Sequence, residues 1–157
     1  MPFLRYLMLL SLVVWLGALI FFPVVAQTAF AVLPTRHMAG LVVRRSLGIL
    51  HWMGVISGVV FLASSLVQRR LSDRAAPGFA ARNVLVCLML ALTLISQFGI
   101  IPRMDTLRTL IGDIDSASAA NPARLQFDAL HVWSTRIESG VLLLGLVVAY
   151  LISRSLA

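Results

Sequence analysis

Two histidines sit in near-identical settings in this chain. His51 lies in "LGILHWMGVISGVV", residues 47–60, and His131 in "FDALHVWSTRIESGVL", residues 127–142. Each follows a leucine, has an aromatic within two residues and precedes a Ser-Gly-Val. In a helix, His51, Gly54 and Gly58 share one face at i, i+3 and i+7, and His131, Ser134, Thr135 and Glu138 share another. Gly54 and Gly58 make a G-x-x-x-G, which admits a neighbouring backbone or a flat ligand. Neutral imidazoles on facing helices suit the axial positions of haem b, or two ligands of a metal ion. Haem would also need a cation for its propionates, and Arg103, Arg36, Arg44 and Arg45 are the candidates. A carboxylic acid in an apolar helix normally faces the protein interior or a water-filled cavity, which singles out Glu138. Gln27 and Gln97 complete an expected polar pocket of Gln27, Gln97, His51, His131, Ser134 and Glu138.

Plainer roles compete with these. A single buried histidine more often serves as a hydrogen-bonding partner than as a ligand. His37-Met38, His51-x-Met53 and Met104 would suit Cu(I), but methionine is also ordinary membrane filler. Glu138 would equally pair with Arg103 or Arg136. A proton or solute path through Glu138, the histidines and the glutamines is a further alternative. The chain has no P-loop, no G-x-G-x-x-G, no H-E-x-x-H and no nucleophile elbow, so an enzyme is the weaker expectation.

The elements that must carry these residues are membrane helices. Of 157 residues, 60% are hydrophobic and only 12% charged, against ~25% charged in soluble domains. Mean hydropathy is +0.97. About 20 apolar residues cross a bilayer as a helix, and four segments qualify, at about 6–33, 46–68, 84–101 and 131–153. Pro23 is expected to kink the first and Pro34 to stop it, and Pro102 to end the third. The mixed segment 103–130 is expected to form an interfacial helix and turn, with Asp128 contributing to the N-terminal cap of the fourth helix. The opening residues mimic a signal peptide, but their apolar run is too long for one, so they are expected to remain as the first helix. The whole of 1–157 reads as a single membrane domain, an all-α bundle of four transmembrane helices.

The net charge of +7 comes from 13 arginines and no lysine. They stand singly or in pairs beside apolar runs, where lipid phosphates would meet them, so the bilayer and not nucleic acid is the expected partner. With both termini on one side the arginines divide six against six across the membrane, which leaves orientation to finer signs. The Arg69, Arg70 and Arg74 group favours cytoplasmic termini in the cell's inner membrane. Cys87 stands alone, which excludes an intrachain disulfide.

A repeat ties the halves together. Gln27–Phe30–Pro34–Arg36–Met38 precedes His51, and Gln97–Phe98–Pro102–Arg103–Met104 precedes His131. Two helices per copy is an even number, so the copies form two parallel two-helix repeats about an axis along the membrane normal. His51 and His131 are then expected at similar depth, near the face opposite the termini.

At "LPTRHMAGLVVRRSLGILHWMG" (33–54), "LTLISQFGIIPRM" (92–104) and "FDALHVWSTRIESGVLLLGL" (127–146) the chain resembles the transmembrane protein 205-like proteins, whose bacterial members carry domain of unknown function 4149. The eukaryotic members look similar at Leu33-Pro34, Arg36-His37, His51, Pro102-Arg103 and His131. The resemblance implies four membrane helices with no established activity. The association of eukaryotic members with cisplatin resistance implies export or metal-drug handling. This chain departs by an extra Thr35, and Glu138, Met38 and Met53 do not belong to the family pattern. The paired histidines also look like the copper-resistance-D-type membrane cytochromes, an analogy of fold alone. The expectations are a haem b or metal site at His51 and His131, a non-catalytic subunit that docks a membrane partner or a second copy, or a small-solute or metal-drug exporter.

Overall fold

A computed structural model of the chain describes residues 2–71 and 81–154. Arg74 falls outside the described residues, so its part in the charge count has no structural counterpart. The elements in order are α1 (Pro2–Val32), α2 (Arg36–Leu71), α3 (Ala81–Ile95), a π-helical turn (Ser96–Ile100), α4 (Ile101–Ile111) and α5 (Pro122–Arg154). α3, the π turn and α4 run on as one rod, so four helices are long and apolar enough to cross a membrane. With no water in the hydrocarbon to satisfy peptide groups, continuous helices are the form such segments take. Large apolar side chains such as Phe21, Ile56, Phe98 and Leu143 point outward, as a lipid environment requires.

The helices extend further than the apolar runs. α2 begins at Arg36, ten residues before its apolar run at Ser46, and α5 begins at Pro122. No proline stands inside either extension beyond its first position, and the caps lie farther out. The Thr35 hydroxyl accepts from the Met38 N–H at 3.2 Å. The Asn121 side-chain oxygen accepts from the Ala123 N–H at 2.9 Å, with Pro122 in the first helical position. Asn121, not Asp128, therefore caps α5. The segment between Pro102 and His131 holds no separate interfacial helix. Its first part is α4, its last part the start of α5, and the loop between is 112–121. Gly112 ends α4 with φ +72°, a conformation that glycine adopts freely.

Pro102 does not end the third rod. Its missing N–H is absorbed by the π turn, in which the Ile101 N–H reaches back five residues to the Ser96 carbonyl. The consequence appears in the buried positions. They step by three or four through Asn83, Val86, Met89, Thr93 and Ser96, then by five to Ile101. The extra residue keeps both halves of the rod facing the bundle.

The core follows helical periodicity. α2 buries Leu47, Leu50, His51, Gly54, Ser57, Gly58, Phe61, Ser64 and Ser65. That seam is rich in small residues, which bring helices close where no hydrophobic effect drives them together. α1 packs against α2 along most of its length, α2 against α3, and α3 and α4 against α5. The ring closes weakly, since α1 and α5 touch over the shortest of the main interhelical faces. Toward the end that carries the turns 33–35 and 112–121, a cleft lies between α1 and α5, backed by α2 and α4.

Candidate functional site

His51 is the centre of a three-residue chain. Its ring is 1% exposed. Nδ1 lies 2.7 Å from the Gln97 carbonyl oxygen Oε1, and Nε2 lies 2.7 Å from the Glu138 oxygen Oε1. Three rods therefore meet at one imidazole: α2 gives His51, the π turn gives Gln97, and α5 gives Glu138. By helix rise His51 lies about 9 Å below Arg45 and about 27 Å from Arg69, so the chain sits in the half of the bundle nearer the turns.

The proton inventory of this chain is restrictive. Gln97 Oε1 can only accept, so Nδ1 carries a hydrogen. One proton then lies between Nε2 and Glu138. On Nε2 it makes an imidazolium–carboxylate pair, and on Glu138 it makes a neutral imidazole facing a carboxylic acid. Without that proton, the Nε2 lone pair of a neutral His51 would face a carboxylate. Relief comes if the ring takes the other tautomer and the Gln97 amide turns to donate to Nδ1.

The chain opens on two surfaces. Glu138, with its side chain 14% exposed, lines the cleft between α1 and α5. The cleft has a volume of about 520 Å³, in the range of small-molecule sites. Gln97 lines a second, shallower recess with Gly48, Trp52 and Met53, and Arg44 borders both openings. His51 lines neither, so it meets a ligand in the cleft only through Glu138.

The other expected pocket residues divide. Ser134 is buried and lines the cleft one turn from Glu138. Gln27 and His131 are exposed and also line the cleft, outside the His51 chain. Thr135 donates to the His131 carbonyl at 3.0 Å. The two histidines thus have unlike surroundings, one sealed between helices and one on a cleft wall. Arg103 is exposed and lines neither opening. A side chain at Gly54 would start 2.5 Å from Trp15 Nε1, and one at Gly58 would start 2.6 Å from a Leu90 methyl. The space over both glycines is filled by these two side chains. Among the described residues no three His, Cys, Asp or Glu side chains group as a metal centre.

Several contributors escape sequence reasoning. Arg44 makes a two-pronged pair with Asp105, at 2.8 Å from Nε to Oδ1 and 2.6 Å from Nη2 to Oδ2, and joins α2 to α4. Arg108 donates to the Gly40 carbonyl at 3.3 Å and lies 5.5 Å over the Phe127 ring. Its Nε is sealed from solvent without a partner. The i, i+3 spacing of Asp105 and Arg108 on α4 gave no hint of partners on α2 and α5. At the other end the Ser65 hydroxyl donates to Asn83 Oδ1 at 2.9 Å, a buried polar tie between α2 and α3.

Fold and site together define a multi-pass helical membrane protein with a buried polar chain beside a cleft. Residues 10–111 match the family model of domain of unknown function DUF4149, and the chain belongs to that family. The match spans α1 to α4 and includes His51 and Gln97, while Glu138 lies beyond it. No curated protein and no solved structure matches the chain.

Proposed function

We propose that the protein is a ligand-binding protein of the membrane, with the cleft between α1 and α5 as its binding site and the His51–Glu138 pair as the polar floor. The observation that carries this reading is the 2.7 Å contact of a fully buried His51 with a carboxylate that lines the cleft. An intramembrane carboxylate–imidazole pair is costly to desolvate and is characteristic of a working site. The pair offers a ligand either a carboxylate or a carboxylic acid, depending on which atom holds the shared proton. Such a floor suits solute binding linked to proton movement, the first step of small-solute or metal-drug export.

Binding of haem b or a metal ion is the second reading. It is favoured by the convergence of His51 Nε2 and a Glu138 oxygen on one point, two donors of the kind that transition metals take. It requires His51 to exchange a present partner for the metal and, for a bis-histidine site, His131 to turn inward. A non-catalytic subunit is the third reading, with the exposed helix faces meeting a membrane partner or a second copy. The sequence grounds given above further support two parallel helix pairs, cytoplasmic termini in the inner membrane, and a tie to the transmembrane protein 205-like proteins.

One experiment separates these readings. The protein is purified from its own membranes in mild detergent. Its oxidised and dithionite-reduced optical spectra, its metal content and its organic extract are then compared with those of Glu138→Gln and His51→Gln. The leading reading predicts a stoichiometric organic molecule that is depleted in both variants. A Soret band or bound metal lost on His51→Gln would replace it with the second reading. A stoichiometric protein partner and an empty cleft in all three preparations would replace it with the third.

A further inference from the structure

The charges around the cleft do not balance. Its lining includes Arg36, Arg44, Arg108 and Arg124, and the carboxylates Asp105, Asp128 and Glu138. Arg44 is taken by Asp105 and Glu138 by His51. Among the lining residues three guanidiniums then stand against Asp128, with Asp105 shared between Arg44 and the field at Arg108, and Asp115 beside the start of α2, where it accepts from the His37 N–H. Arg124 is committed to the loop, donating to the Ile114 and Ala117 carbonyls. Arg108 is held half-buried in the wall by the Gly40 carbonyl and the Phe127 face, with no carboxylate within salt-bridge distance among the described residues. Arg36 is exposed at the start of α2.

Away from these arginines the cleft turns apolar, with Leu19, Phe22, Ala26, Leu47, Leu50 and Leu142 on its walls. A half-buried guanidinium beside hydrocarbon calls for an anion that brings its own apolar part. The cleft is lined by α1 from Leu19 to Phe30 and by α5 from Arg124 to Leu142, and in a bilayer a gap between these two helices faces the acyl chains. We infer that the cleft binds one anionic phospholipid, drawn laterally from the bilayer, with its phosphate on Arg108 and Arg36 and an acyl chain along Phe22, Ala26 and Leu47. This inference rests on the cleft being a binding site and adds a lipid at its arginine end, distinct from the molecule held on the Glu138 floor. A guanidinium fork matches phosphate geometry with two parallel hydrogen bonds. The Glu138 floor is beyond the arginines, so the lipid would be held independently of it.

The test is lipid retention measured by native mass spectrometry. Protein reconstituted in nanodiscs of phosphatidylcholine with a minor fraction of phosphatidylglycerol is released into the gas phase, and bound lipids are identified by mass. One phosphatidylglycerol per chain is expected to be retained over phosphatidylcholine. Arg108→Gln should weaken retention about tenfold, the size of one lost charge-assisted hydrogen bond. Ala26→Phe, which fills the apolar wall and leaves every arginine in place, should abolish it. Arg154→Gln, at the far end of α5, should not change it. Equal retention of the two lipids, or unchanged retention in both Arg108→Gln and Ala26→Phe, would overturn the inference. Displacement by millimolar inorganic phosphate would also overturn it, because the site would then be one for free anions. Glu138→Gln should keep its lipid. If it does while the co-purifying organic molecule is unaffected by that change, the floor reading fails and the lipid site stands.

Discussion

Removing the Glu138 carboxylate isolates the energetics of the buried pair. In Glu138→Ala the His51 Nε2 faces a small cavity in place of an oxygen at 2.7 Å. Breaking a buried ion pair from one side costs about 3–5 kcal/mol, mostly as the desolvation of the group left behind. His51 is 1% exposed, which argues for the full penalty, but Glu138 lines the cleft and its removal lets water approach. The lower end, about 3 kcal/mol, is therefore expected. Glu138→Gln keeps an acceptor and nearly the same volume, and should lose only about 1–2 kcal/mol, the charged part of the bond. His51→Ala should cost at least as much as Glu138→Ala, because a cavity is added. The double variant should cost less than the two single changes together, with a coupling of about 2 kcal/mol for groups in direct contact. The assay is reversible unfolding in mixed micelles with rising dodecyl sulfate, followed by circular dichroism and tryptophan fluorescence. Additive single effects, or Glu138→Ala within 0.5 kcal/mol of wild type on the about ±0.5 kcal/mol scale of an ordinary surface change, would refute the buried pair.

Other expectations follow from the packing. Gly54→Ala drives a methyl into the Trp15 indole at 2.5 Å and should cost about 1–3 kcal/mol, whereas Gly17→Ala meets nothing within 4 Å and should be neutral or stabilising. The same unfolding assay reads both. Arg44→Gln should cost no more than about 1 kcal/mol, and less at high salt, because both members of its pair are partly exposed. Unfolding curves at two ionic strengths check it. Ser65→Ala should cost about 1–3 kcal/mol through the Asn83 oxygen left unpaired in the core, while Ser153→Ala, at an exposed helix end, should be silent.

Four membrane-spanning helices were legible because apolar runs of about 20 residues have few other solutions in a chain this hydrophobic. Helix ends were less so. Arg36–Arg45 and Pro122–Leu130 are too polar to count as membrane spans, yet with Thr35 and Asn121 as caps and no proline beyond the first position they stay helical. The face His131, Ser134, Glu138 was legible from spacing alone, and all three line one cleft. Which group meets His51 was not. Spacing makes Gln97, Glu138 and His131 comparable candidates. The choice depends on the π turn that aims Gln97 and on how far α5 turns about its own axis, both set by packing. The fate of Gly54 was hidden for the same reason, since nothing local to "HWMGVISG" says that Trp15 from α1 will fill it.

The claim at the centre of this account is that His51 is bonded through both ring nitrogens, to Gln97 and to Glu138. Nitrogen-15 magic-angle-spinning spectra of histidine-labelled protein in lipid test it directly. The expected result is one imidazole, assigned to His51 by its loss in His51→Gln, with a strongly deshielded proton in the Nε2–Glu138 hydrogen bond. That proton signal should disappear in Glu138→Ala and persist in His131→Ala. A His51 spectrum indifferent to Glu138 but altered by His131→Ala would contradict the account and return the two histidines to a shared site.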